Sequence, residues 1–294
     1  MKKIALAITF LLSINVSPIG AENNSTNSSE TRNVRYVKVP RFAQPLVEKW
    51  ITEYAKTQPG VEFQIAKGSQ QSSVNDLNVV FNNQEAPSQD FSHVVYFGKF
   101  AVLPITASGS EAAKVLEGKH LNSKKLKQLY FLDNELEEDA KKSSQFEDLV
   151  IYSGSNASSV ATSFARNLGE ESSNFRGKRI AGDDLFLNTA ISKDPLGISF
   201  NALPNIFDLE SRHVKSNLTI IGIDVKKSLE DSFSNKVTLD ELISILENSN
   251  ISEVAIEKIG VSYHSTDDDI KQFLNWIVTA GTQYNHEFGL LNLK

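Results

Sequence analysis

The sequence predicts an α/β protein, and three observations carry that expectation. Between Val34 and Phe81 the pattern runs strand, helix, strand, polar loop, strand, the order that builds a largely parallel sheet with covering helices. Between Asn122 and Phe200 the same rhythm returns. The chain has 294 residues, 40% of them hydrophobic, which is enough for one large or two modest domains with proper cores.

Each element has a local reason. Val34-Arg35-Tyr36-Val37-Lys38-Val39 alternates and is rich in β-formers, so it reads as a strand. Pro45 suits the first turn of a helix whose stripe is Leu46, Trp50 and Tyr54, with Val47 and Ile51 beside it. Gln58-Pro59-Gly60 stops that helix. Val61–Ile65 and Leu77–Phe81 are strands, separated by the polar loop Gly68–Ser73. Val94–Phe97 and Phe100–Ile105 read as two further strands. Asn122 or Ser123 caps a helix carrying Leu126, Leu129 and Tyr130. Leu149–Tyr152 is a strand, followed by Ser153-Gly154-Ser155-Asn156-Ala157-Ser158 and a helix with Val160, Phe164 and Leu168 that Gly169 ends. Ile198–Phe200 and Leu218–Ile223 are strands. The last helix has Thr266 as expected N-cap, with Asp269 three residues on, and a buried stripe of Ile270, Phe273, Leu274 and Ile277.

The N-terminus has the layout of a secretory signal: Lys2 and Lys3, an apolar run Ile4–Val16 too short to span a bilayer, and small residues up to Ala21. Residues 1–21 are expected to be removed, and residues 22–32 to be a flexible leader. Removing Lys2 and Lys3 subtracts two charges from −6, leaving −8. With no cysteine there is no disulfide or thiolate–metal framework and no lipid-anchored cysteine after the signal. An acidic chain without a dense Lys/Arg run argues against nucleic acid as partner.

The order of segments resembles the phosphate-binding components of ABC importers, within the type 2 periplasmic binding fold. Pro45–Trp50 with Gln58-Pro59-Gly60-Val61 is similar to the family's opening helix and its exit. Lys67-Gly68-Ser69 with Ser72-Ser73 stands where the family has a Gly/Ser-rich loop. Tyr96–Val102 is similar to the strand crossing to the second lobe, and Leu121–Leu126 to a helix start there. Gly154-Ser155-Asn156-Ala157 stands at the family's Gly-Ser-Gly-Thr, and Lys193–Phe200 is similar to the return segment. Ile270–Leu291 resembles the closing helix and tail.

The resemblance implies two α/β lobes, each a mostly parallel sheet flanked by helices and joined by two crossover strands. Residues 33–98 and 201–294 would form the first lobe and 99–200 the second. It implies a monomer that is not an enzyme, needs no cofactor or metal, and hands a small oxyanion, phosphate first, to a membrane ABC permease from the periplasm. The ligand-binding set would be Arg41 and Phe42 before the first helix, Gly68, Ser69, Ser72 and Ser73, and Gly154, Ser155, Asn156, Ala157 and Ser158. Helix N-termini suit that task because their first N–H groups lack intrahelical partners and sit at the positive end of the dipole.

Four departures touch the ligand. Pro40-Arg41-Phe42-Ala43 carries no hydroxyl where the family has Gly-Ser/Thr. Phe81–Glu85 offers no Asp, Ile151-Tyr152 replaces an Arg, and Ala157 replaces the Thr. Arg41 is the expected substitute cation, turned either to the cleft or to solvent. The alternative is an interaction or sensory module that keeps the fold without a transported ligand. Catalytic patterns are lacking: no phosphate loop, no nucleophile elbow, and five scattered histidines (His93, His120, His213, His264, His286) without metal-ligand spacing. The carboxylate clusters Asp183-Asp184, Glu135–Asp139 and Asp267-Asp268-Asp269 read as solvated or capping charge.

Overall fold

The computed structural model describes residues 34–68, 76–81, 93–131, 146–155, 159–264 and 267–294. The expected signal and leader, and Ser69, Ser72, Ser73, Asn156, Ala157, Ser158 and Thr266, lie outside them. Asn33–Lys294 forms one compact unit. Among the described residues no helix is long and apolar enough to cross a membrane.

The chain begins with β1 (Val34–Lys38), a 3-10 turn (Arg41–Ala43), α1 (Gln44–Thr57), β2 (Glu62–Ile65) and β3 (Leu77–Phe81). Then come β4 (His93–Ala107), α2 (Glu111–Leu116), α3 (Ser123–Tyr130), β5 (Val150–Ser153) and α4 (Ser159–Asn167). The rest is β6 (Lys178–Arg179), α5 (Leu185–Lys193), β7 (Gly197–Ala202), α6 (Leu203–Ile206), β8 (Leu218–Ile220), α7 (Leu239–Asn248), β9 (Ala255–Tyr263) and α8 (Asp268–Thr279). A 3-10 turn, Gly281–Tyr284, follows α8.

The sheet order is β2-β1-β3-β9-β4-β7-β5-β6, with β8 also on β4. At one flank β1 pairs parallel with β2 and β3; at the other β5 pairs parallel with β6 and β7. The centre is antiparallel, where β9 pairs with β3 and β4, and β4 with β7 and β8. The parallel flanks follow from strand–helix–strand crossovers, and the antiparallel centre from long strands running back and forth between the flanks.

β4 is the spine. It pairs with β9 from His93 to Val102 and with β7 from Val102 to Thr106. The sequence suggests two strands here because Gly98-Lys99 interrupts the apolar runs. The structure keeps one strand of 15 residues and absorbs the interruption as a register shift between Tyr96 and Gly98. The C-terminal tail seats on that shift. Lys99 N–H donates to Leu291 O and Leu291 N–H to Lys99 O, each at 2.8 Å. Asn285 Nδ2 donates to Phe97 O at 2.9 Å.

Capping is largely as the sequence suggests. The Asn122 side chain caps α3 by accepting from Lys125 N–H. For α8 the cap is Asp267, one residue beyond the expected Thr266, and its carboxylate accepts from Asp269 N–H. Asp267 also pairs with Arg35 of β1, which ties the start of α8 to the sheet. The short carboxylate at this position serves the N-terminal amides, the dipole and the arginine together. α7 carries a full capping box between Thr238 and Glu241.

Two aromatic groups fill the flanks. In the first, Phe63 stacks on Phe273 with ring centroids 4.2 Å apart, Tyr54 meets Phe273 at 4.9 Å, and Trp50 meets Phe97 edge-on at 4.6 Å. The Trp50 indole N–H donates to Gly281 O at 2.8 Å, so the glycine after α8 is a docking point for α1. In the second, Phe164 stacks on Phe200 at 4.4 Å, with Phe175 and Tyr130 against them. The Tyr130 hydroxyl is fully buried and donates to Ser199 O, and burial pushes its pKa well up.

Candidate functional site

The candidate residues stand at the carboxyl ends of strands. Arg41 and Phe42 follow β1, Gly68 follows β2, and Gly154 and Ser155 follow β5. The loop holding Asp183 follows β6 and opens α5, and β7 ends at Ala202. Ligands of open α/β sheets bind outside strand carboxyl ends, where loops lead into helix N-termini.

Arg41 does not stand alone. Its Nε lies 3.6 Å from Asp183 Oδ2, and the arginine side chain is 66% exposed against 21% for the aspartate. The other Asp183 oxygen accepts from Leu185 N–H at 2.8 Å, so the carboxylate is held against the start of α5. Asp183, one residue before the α5 N-cap Asp184, thus accepts from the first helical N–H and also meets the cation expected to serve a ligand. The sequence could not show this pairing, because it depends on how the two flanks pack.

Phe42 has a different environment from a ligand-facing loop residue. It is 5% exposed, its ring centroid lies 5.4 Å from Phe100 and 6.0 Å from Phe81, and those two rings meet edge-on at 5.0 Å. Its ring therefore packs into the core. The amides around it are partly used as well. Ala43 N–H donates to Pro40 O and Gln44 N–H to Arg41 O within the 3-10 turn, and Pro45 has none to give. The start of α1 therefore offers fewer free donors than an ordinary helix N-terminus.

The loop after β5 is described as far as Ser155. Gly154 is buried and Ser155 half-buried. Just before them Ser153 is fully buried, and among the described residues its hydroxyl has no hydrogen-bond partner. An unsatisfied buried hydroxyl costs about 1–3 kcal/mol, which water or a ligand would recover. Sequence reasoning passed over Ser153 because nothing separates it from the polar run that follows. Gly68 is in the left-handed region at φ +53, which its position after β2 requires and glycine supplies without strain. Among the described residues no hydrogen bond or ion pair joins Gly68 or Gly154 to Arg41.

A buried asparagine network lies behind the Asp183 loop. Asn201 Nδ2 donates to Asp184 O and to Asn188 Oδ1, Asn205 Nδ2 donates to Asn201 Oδ1, and Asn188 Nδ2 donates to Asn205 O. Lys215 Nζ also donates to Asn205 O, and burial lowers its pKa although Asp208 opposes the shift. With these side chains bonded to one another, the network fixes α5 and α6 on β7 and leaves little for a ligand. At the far end of α5, the Tyr152 hydroxyl donates to Asp194, and Lys178 Nζ donates to the Tyr152 oxygen. The hydrogen bond to Tyr152 is the main reason the Lys178 pKa is raised. Burial pushes the Asp194 carboxyl up, but the bonds from Tyr152 and Leu196 N–H and the Lys178 charge outweigh it and hold it low.

The fold has counterparts among solved structures. The chain superimposes on a putative phosphate ABC transporter substrate-binding protein with bound phosphate from Clostridium perfringens, with a TM-score of 0.60 at 10% identity, covering 89% of this chain and 100% of that one. An ABC-type phosphate transport receptor from Vibrio cholerae gives 0.56 at 9% identity, over 88% and 100%. The CcmR regulatory domain of Synechocystis, in complex with 2-PG, gives 0.50 at 15% identity, over 84% and 97%. No protein-family model and no curated protein matches the chain. The likeness shows the two-lobed type 2 periplasmic binding fold.

Proposed function

We propose that this chain is a secreted, periplasmic solute-binding protein that captures a small oxyanion, phosphate first, in a crevice between two lobes and delivers it to an ABC permease. The observation that supports it most is the fit of nearly the whole chain to the whole of two phosphate-binding proteins. The fully buried Ser153 hydroxyl, without a hydrogen-bond partner among the described residues and next to Gly154-Ser155, would be available as a donor. On this reading residues 33–98 and 201–294 make one lobe and 99–200 the other, with β4 as a crossover strand. Arg41, Gly68, Ser69, Ser72, Ser73 and Gly154–Ser158 line the crevice, and Phe42 contributes backbone only. The protein acts by binding and closing, without catalysis, as a monomer.

A second reading has its own support. Arg41 already has a carboxylate partner, and the Phe42 ring is buried against Phe81 and Phe100. A regulatory domain shares the fold as well. These favour a module that senses or contacts a partner without carrying a transported solute.

Isothermal titration of the naturally processed protein with phosphate, then sulfate, decides between them. Saturable micromolar or tighter binding supports the receptor. Absence of heat from folded protein supports the module. The intact mass of the same sample tests secretion, with Glu22 as the expected first residue.

A further inference from the structure

The pairing of Arg41 with Asp183 joins parts of the chain that the sheet holds apart. Arg41 follows β1, whereas Asp183 opens α5, a helix packed on β7. In the sheet order β1 and β7 are four spacings apart, about 19 Å if the sheet were flat. The two side chains nevertheless approach to 3.6 Å. The Arg41–Ala43 turn packs on α6 at the end of β7, where Asn201 also holds Asp184 O, so the two loops face each other and this ion pair spans them. The two partners are built differently. Asp183 is a fixed anchor, held by Leu185 N–H. Arg41 is a mostly exposed arm, and Asp183 is its only polar partner among the described residues.

We propose that Asp183 is an internal stand-in for the anionic ligand: it holds Arg41 across the crevice mouth, biases the empty protein toward the closed form, and must be displaced from Arg41 when an oxyanion enters. This rests on the reading of the crevice as a ligand site. An exposed pair is a weak latch. It shifts the open–closed ratio by about two- to fivefold, and less as salt screens it. A bias of that size tunes affinity without preventing release.

The test uses the processed protein with Asp183→Asn, Arg41→Ala, and the charge-exchanged pair Arg41→Asp with Asp183→Arg. Asn keeps an oxygen for Leu185 N–H, so the contact with the start of α5 is retained. Hydrogen exchange and the small-angle scattering radius are measured without ligand, and phosphate titration is measured at low and high salt. The expected results are faster exchange at Arg41–Gln44 and a larger radius in both single variants, with recovery of the radius and of the Arg41–Gln44 exchange in the exchanged pair; Asp183→Arg loses the acceptor for Leu185 N–H, so exchange there is not part of the rescue. Asp183→Asn is expected to bind phosphate about two- to fivefold more tightly at low salt, with the gain lost at high salt. Unchanged exchange and radius in Asp183→Asn would overturn the latch. Weaker phosphate binding by Asp183→Asn would overturn it too, because the carboxylate would then be a ligand group. If no form of the protein binds any oxyanion, the receptor reading fails, while the exchange and scattering results still decide the latch.

Discussion

Replacing Gly98 by alanine probes the seat of the C-terminal tail on the long central strand. A Cβ at Gly98 would lie 2.8 Å from Leu291 O and 3.0 Å from Asn285 Nδ2. Neither neighbour can withdraw freely. Leu291 O accepts from Lys99 N–H, and Asn285 Nδ2 donates to both Phe97 O and Asn292 Oδ1. Asn285 is also fully buried. Relief requires stretching one or two of these bonds, each worth about 0.5–1.5 kcal/mol, so the substitution should cost about 1–3 kcal/mol. For a chain of this size that lowers the melting temperature by about 3–10 °C. Urea unfolding should show a lower midpoint with an unchanged slope. Gly60→Ala is the control, because a Cβ there meets nothing within 4 Å. It should be neutral or stabilising by less than about 1 kcal/mol. If Gly98→Ala unfolds with the same midpoint as wild type, the tail does not seat on β4 as described.

Three more outcomes follow from single contacts. Phe42→Ala removes a ring packed on Phe81 and Phe100 and should cost about 3–5 kcal/mol by urea unfolding; a loss below about 1 kcal/mol would mean that the ring does not close the core. Thr238→Ala removes the α7 cap and should cost about 1 kcal/mol, with faster amide exchange confined to Leu239–Leu242. Melting temperatures should fall in acid. Asp194, Asp240 and Glu170 have folded pKa values below the ordinary range, so their stabilisation is full above about pH 5, past the unfolded values, and is lost as pH drops through the lower folded values. Glu257 works the other way: burial raises its pKa against the pull of Arg166, so protonation relieves it. Asp194→Asn should flatten the acid limb, and an unchanged slope would remove Asp194 from that set.

Where a local pattern decides the outcome, the sequence is a good guide. β1, α1 and β2 follow from strict alternation, a proline at the first helical turn and a Pro-Gly stop. β3 matches its expected bounds, Leu77–Phe81. Other features carried a signal that went unread. The capping box at Thr238 and Glu241 announces α7, and Leu187 and Ile191 mark the buried face of α5. β9 is harder, because Glu257 and Lys258 break its apolar run; Glu257 is matched by Arg166 of α4. The site is the least legible part. The glycines and serines after strands point to loops of the right kind, but Asp183 reads as one more capping carboxylate. Only the packing of the two flanks gives it Arg41, and only packing shows that Phe42 turns inward and that Ser153 lacks a hydrogen-bond partner among the described residues.

The most direct test of the oxyanion-receptor account is amide hydrogen exchange of the processed protein with and without millimolar phosphate. Protection is expected together at the Arg41–Gln44 turn, around Gly68, at Ser153–Ser155 and at Asp183–Leu185, because a ligand seated between the two flanks would order both. Protection at one flank alone, or at none of these segments, would contradict a shared site.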